Sequence, residues 1–126
     1  MSSIFSKPEL TVVYQVKDRK AAVAWYGKIF GFELMYDVEE IGWCEVQSNL
    51  TGVCLGFSEV ENPKVEGGST LTWGTTDIEG AVAFLAENGV SLDGPVQEIA
   101  GMVKLAMFKD PDGNHLMLAE SLSSPQ

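Results

Sequence analysis

Hydrophobic and polar positions alternate along this chain in two different periods, and the change of period repeats. Leu10-Thr11-Val12-Val13-Tyr14-Gln15-Val16 is rich in β-branched and aromatic residues and predicts a strand. Asp18 then offers a helix N-cap, and Ala22, Trp25, Tyr26, Ile29 and Phe30 recur at helical spacing up to Gly31, a residue suited to stopping a helix. Three short apolar segments follow, at 32–36, 42–47 and 53–57, with turn residues over 48–52. The pattern predicts β-α-β-β-β for residues 9–57. Residues 58–68 are polar, contain Pro63 and end in Gly67-Gly68, and read as a linker. Residues 1–8 read as a loose arm.

The second half repeats the first. At one constant offset Thr11 falls on Thr70, Asp18 on Asp77, and Ala22-Val23-Ala24-Trp25 on Ala81-Val82-Ala83-Phe84; with one residue lost, Gly31 meets Gly89. A strand over 70–75 is expected to lead into a helix capped by Asp77, with Ile78, Ala81, Val82 and Leu85 on its buried side. Strands near 96–99, 102–109 and 115–119 complete the second β-α-β-β-β over residues 69–121. The last two flank Asp110-Pro111-Asp112-Gly113-Asn114, where proline, glycine and side chains that bond nearby backbone predict a tight turn. This turn is not a calcium loop, because Gly113 precedes rather than follows Asn114. Matched cap, stripe and stop positions are the mark of an internal duplication.

Composition narrows the function. At 126 residues and 45% hydrophobic the chain suits one soluble domain, and its net charge of −10 repels phosphate backbones and anionic lipids. Neither nucleic acid nor a membrane is expected as a partner. No apolar run is long enough to span a bilayer, and the first residues lack a signal-peptide core. Cys44 and Cys54 lie in separate apolar segments without a C-x-x-C spacing, so two reduced thiols in a cytoplasmic protein are expected. There is no G-x-S-x-G, no Walker loop and no dinucleotide fingerprint, and His115 is the one histidine.

With its two β-α-β-β-β halves, the run F-x-D-P-D-G-N before the last strand and A-x-A-W-Y-x-x-x-F-G-F in the first helix, the chain resembles the vicinal oxygen chelate superfamily. That superfamily includes glyoxalase I, extradiol dioxygenases, fosfomycin-resistance enzymes and bleomycin-binding proteins. The resemblance covers residues 9–121. It implies an α+β fold in which two βαβββ modules form a curled mixed sheet around a groove, often completed across a homodimer. Residues 1–126 then form a single domain, with module one at 9–57, a linker at 58–68 and module two at 69–121. Enzymes of the superfamily usually hold a divalent metal on first and last strands of the modules. Carried over by position, those places are Thr11, Leu55, Thr70 and Met117. None supplies an imidazole or carboxylate, so neither a metal nor another cofactor is expected.

The same positions outline a small-molecule groove. Thr11, Val13 and Gln15 project to one side of the first strand, and Thr70 and Thr72 do so in module two. Leu55 and Phe57 are expected to join them, with Met117 from the last strand and His115 at the mouth. Trp43 and Glu45 alternate with Cys44 and Val46 and share a face; Lys104 is a candidate groove cation or, alternatively, a partner for Glu45. Trp73 and Trp25 read as core. The reading that follows is a metal-free small-molecule-binding protein that sequesters an aromatic or cationic compound, as the bleomycin-resistance proteins do. The alternative is a glyoxalase-like lyase or isomerase with an atypical metal site, or with Glu45 as a carboxylate base. A pure interaction module, its groove filled by its own side chains, is the third.

Overall fold

A computed structural model describes residues 8–64 and 68–122, and the chain divides into two compact units at Lys64. The first unit runs β1 (Leu10–Val16), α1 (Arg19–Phe30), β2 (Glu33–Val38), a 3₁₀ turn (Glu39–Ile41), β3 (Trp43–Gln47) and β4 (Val53–Glu59). The second runs β5 (Leu71–Gly74), α2 (Ile78–Glu87), β6 (Gln97–Ile99), β7 (Val103–Lys109) and β8 (His115–Ser121). Each unit is a βαβββ module with a four-stranded mixed sheet, ordered β1-β4-β3-β2 in one and β5-β8-β7-β6 in the other. The first and last strands of each module pair in parallel, and the remaining pairs are antiparallel.

The helices form where local chemistry starts and stops them. The Asp18 carboxylate accepts from Lys20 N–H and Ala21 N–H, and the Asp77 carboxylate accepts from Gly80 N–H. Gly31 ends α1 in the left-handed region at φ 77°, where any Cβ would be strained. Between those ends α1 buries Ala22, Tyr26 and Ile29 against its own sheet, and the Tyr26 ring lies 4.9 Å from that of Phe57. Val16, Cys44, Val46 and Leu55 fill the remaining space, and α2 sets Ile78 and Leu85 over Ala106, Phe108, Leu116 and Leu118. Full burial of each Val, Leu, Ile or Phe among these contributes roughly 1.5–3 kcal/mol.

One further device is duplicated. Glu59 at the end of β4 accepts from the backbone N–H of Arg19 (3.0 Å), and Glu120 near the end of β8 accepts from that of Ile78 (2.8 Å). A carboxylate on the last strand thus satisfies an orphan donor at the start of the module's helix. This equivalence makes Leu55 the counterpart of Leu116, both buried, and Gly56 the counterpart of Met117.

Several expectations shift. The strand expected to end at 57 continues to Glu59, so the first two linker residues are strand, and β2 runs on to Val38 before a 3₁₀ turn that the pattern did not predict. Ala81 and Val82 are only half-buried in α2, as is Trp25, which packs edge-on against Tyr26 and Phe30. Residues 1–7 of the expected arm and 65–67 of the expected linker lie outside the described residues. Among the described residues no helix is long and apolar enough to cross a membrane.

Candidate functional site

In the first module α1 covers one face of the sheet and leaves the other open. Strand register, not strand sequence alone, decides which side chains stand there. Tyr36 pairs with Glu45, Glu45 with Gly56, and Gly56 with Val13, so these four form one row across all four strands. Val38, Trp43, Ser58 and Gln15 form the next row, and Gln47, Cys54 and Thr11 the row on the other side.

The centre of this face is built around a missing side chain. A Cβ on Gly56 would lie 2.2 Å from Trp43 Cη2 and 2.6 Å from its Cζ2, so the indole rests directly on the Gly56 backbone. The indole Nε1–H donates to Tyr36 Oη at 3.1 Å, and Tyr36 Oη–H donates to Glu45 Oε2. The bond to Glu45 holds the phenol above its ordinary pKa, so it stays protonated and donating through the neutral range. Val13 is 53% exposed and Tyr36 43% exposed, which leaves an apolar and aromatic surface beside one carboxylate.

Around this centre the polar groups are mostly engaged in structure. Gln15 Oε1 accepts from Lys64 N–H at 2.7 Å, and Gln47 Nε2 donates to carbonyls of Ser48, Leu50 and Val53. The Cys54 thiol lies 3.3 Å from the Met35 thioether, brought there by a bulge between Leu34 and Tyr36. Cys44 points to the opposite, helix-covered face, where burial pushes its thiol up to about 11. Both thiols are free.

The open face of the second module carries Thr72, Met117 and Met107 in one row and Gly74, Ala119, Leu105 and Gln97 in the next. His115 is beside Lys109 on the same face, at the hairpin end, and Thr70 precedes β5. A shallow recess of about 690 Å³ lies over Gly74, Thr75, Thr76, Val103, Ala119 and Ser121.

Three expected groove residues lie on the wrong side for that role. Leu55 pairs with Val12 and Phe57 with Tyr14, which turns both toward α1, where they are 1% and 0% exposed. Their places on the open face belong to Cys54, Gly56 and Ser58. Lys104 pairs with Glu120 and Glu98 on the helix side of the second sheet, and its Nζ bonds Glu79 Oε2 of α2 at 2.7 Å. That bond raises the Lys104 pKa and lowers that of Glu79. Thr11, Val13, Gln15, Trp43 and Glu45 stand on the open face of the first sheet, and Thr72, His115 and Met117 on that of the second. Gly56 and Tyr36 also stand on the open face of the first sheet, although neither carries a sequence signal that points there.

The metal positions implied by the superfamily can be judged by their donors. Leu55 drops out because it faces the helix, and its replacement by register equivalence is Gly56, which has no side chain. Thr11 and Thr70 offer neutral hydroxyls, and Met117 a thioether. This donor set does not fit a hard divalent ion. Among the described residues no three His, Cys, Asp or Glu side chains come together.

The sequence model of the Glyoxalase/Bleomycin resistance protein/Dioxygenase superfamily matches residues 10–118. No curated protein sequence is a significant match. Among solved structures, TnmS3, an antibiotic binding protein from Streptomyces sp. CB03234, is 27% identical with a TM-score of 0.74, over 95% of this chain and 99% of its own. A glyoxalase/bleomycin resistance protein from Catenulispora acidiphila DSM 44928 is 25% identical with a TM-score of 0.67, over 89% of this chain and 96% of its own. TioX from Micromonospora sp. ML1, at 17% identity and a TM-score of 0.71 over 90% of this chain and 98% of its own, shares the fold. The duplicated βαβββ module and the family match together place this chain in the glyoxalase/bleomycin resistance protein/dioxygenase superfamily.

Proposed function

We propose that this protein binds a small molecule with a flat apolar body and a positive charge, without a metal, on the open face of the first sheet. The observation that carries the reading is the Trp43 indole seated on Gly56, the register partner of Glu45. An indole face attracts a flat cation by stacking and by its quadrupole, worth about 0.5–2 kcal/mol, and a nearby carboxylate adds directed attraction. Val13 extends the apolar floor. The net charge of −10 draws cations toward the molecule and repels anions. The likeness to an antibiotic binding protein supports a small-molecule ligand. In this reading the protein is a cytoplasmic homodimer whose modules 9–57 and 69–121 form one domain, as the superfamily resemblance implies.

The test uses a chain in which Trp25→Phe and Trp73→Phe leave Trp43 as the single tryptophan. Titration with proflavine, a planar cation, is expected to quench Trp43 emission saturably at micromolar concentration. Gly56→Ala, which displaces the indole, is expected to weaken that binding by about tenfold or more. Absence of quenching up to about 1 mM proflavine contradicts the reading. Metal-dependent turnover of a hemithioacetal, lost in Glu45→Gln, would replace it with the lyase or isomerase alternative.

A further inference from the structure

The hydrogen bonds of the Trp43, Tyr36 and Glu45 cluster run in one direction. Trp43 Nε1–H is spent on Tyr36 Oη, and Tyr36 Oη–H is spent on Glu45 Oε2. An indole has no other donor, and a phenol has one proton to give. The cluster therefore has no donor left to offer a ligand. Its remaining strong polar group is Glu45 Oε1, which takes no hydrogen bond from the described residues. Tyr36 is cross-strand from Glu45 and diagonal to Trp43, so this one side chain consumes the indole donor and fixes the carboxylate at once.

We infer that Tyr36 is a positioning residue that sets the headgroup specificity of the site, selecting ligands whose cation carries N–H protons over quaternary ammonium, neutral and anionic analogues. The inference rests on the reading of the first sheet's open face as a ligand site. A protonated amine donates a charge-assisted bond to Glu45 Oε1 while its aromatic body lies on the indole. A quaternary ammonium keeps the charge and the stacking but cannot make that bond. An anion or a carbonyl meets only an acceptor and is rejected, because its own lone pairs lose water without gaining a donor. Tyr36 acts by holding Glu45 against free rotation, and by preventing the indole N–H from turning the carboxylate inward.

The experiment compares 2-naphthylmethylammonium with 2-naphthylmethyl-trimethylammonium by titration calorimetry. The wild-type chain is expected to favour the primary amine by about tenfold or more. In Tyr36→Phe the carboxylate and the indole N–H are released onto each other, and the preference is expected to fall to about twofold. Affinity for the quaternary compound is expected to stay within about threefold of wild type. Tyr36 is 43% exposed, so the variant is expected to fold, which a thermal melt checks. A preserved preference in Tyr36→Phe, or equal weakening of both compounds, reduces Tyr36 to a structural residue and overturns the inference. A wild-type chain that binds both compounds equally overturns it while leaving the site intact. A wild-type chain that binds neither removes the proposed site, and the inference with it.

Discussion

Arg19→Ala is expected to lower the melting temperature by about 10 °C or more, read by thermal denaturation at neutral pH. Arg19 is 5% exposed at the first turn of α1, and its guanidinium holds two carboxylates from distant strands. Nε and Nη2 meet the two oxygens of Asp37 at 2.6 and 3.0 Å, and Nη1 meets Glu59 Oε1 at 2.9 Å. The fork therefore ties α1 to both β2 and β4. Removing it leaves two acidic groups facing each other with no cation between them, and removes the packing of the arginine stem. Arg19→Lys is expected to recover only part of the loss, because one ammonium cannot bond both carboxylates bidentately.

The pH dependence has a definite sign. The bond from Arg19 holds the Asp37 carboxyl below its usual value of 3.8. A carboxyl whose folded value is depressed stabilises the fold above the unfolded value, and this stabilisation is lost as pH falls through the folded one. The wild-type melting temperature is therefore expected to drop more steeply than that of Arg19→Ala below the ordinary carboxylate value, so the two curves converge in acid.

Asp110→Ala is expected to cost about 3–5 kcal/mol in urea denaturation, and Asp110→Asn about 1–2 kcal/mol. Asp110 and Asn114 are each 4% exposed in the turn between β7 and β8. Asp110 Oδ1 accepts from the backbone N–H groups of Asp112 and Asn114, each at 2.9 Å. Oδ2 accepts from Asn114 Nδ2, also at 2.9 Å. Alanine strands these donors in a buried turn, whereas asparagine keeps one acceptor and sets its amide against that of Asn114. Equal losses in the two variants would show that the oxygen asparagine retains contributes nothing, and would contradict the role given to the bonds from Asp112 and Asn114 N–H.

The elements were legible because their signals are local. Asp18, Asp77 and Gly31 mark helix ends by side-chain chemistry that acts within a turn, and the Asp110–Asn114 turn carries its own bonds. The faces of β4 were not legible. Val53-Cys54-Leu55-Gly56-Phe57 is apolar or small at both parities, so alternation says nothing, and only pairing with β1 assigns Leu55 and Phe57 to the helix side. Tyr36 was hidden by the bulge after Leu34, which breaks the period of β2. Lys104 and Arg19 find their acidic partners far along the chain, through packing of helix on sheet that no sequence period records.

A flat cation is expected to bind the open face of the first sheet at Trp43. The most direct test is a two-dimensional amide NMR titration of the ¹⁵N-labelled chain with proflavine. The predicted result is a set of saturable shifts centred on Val13, Tyr36, Trp43 with its indole N–H, Glu45 and Gly56. Shifts confined to other faces of the molecule, or no shifts at saturating proflavine, would contradict it.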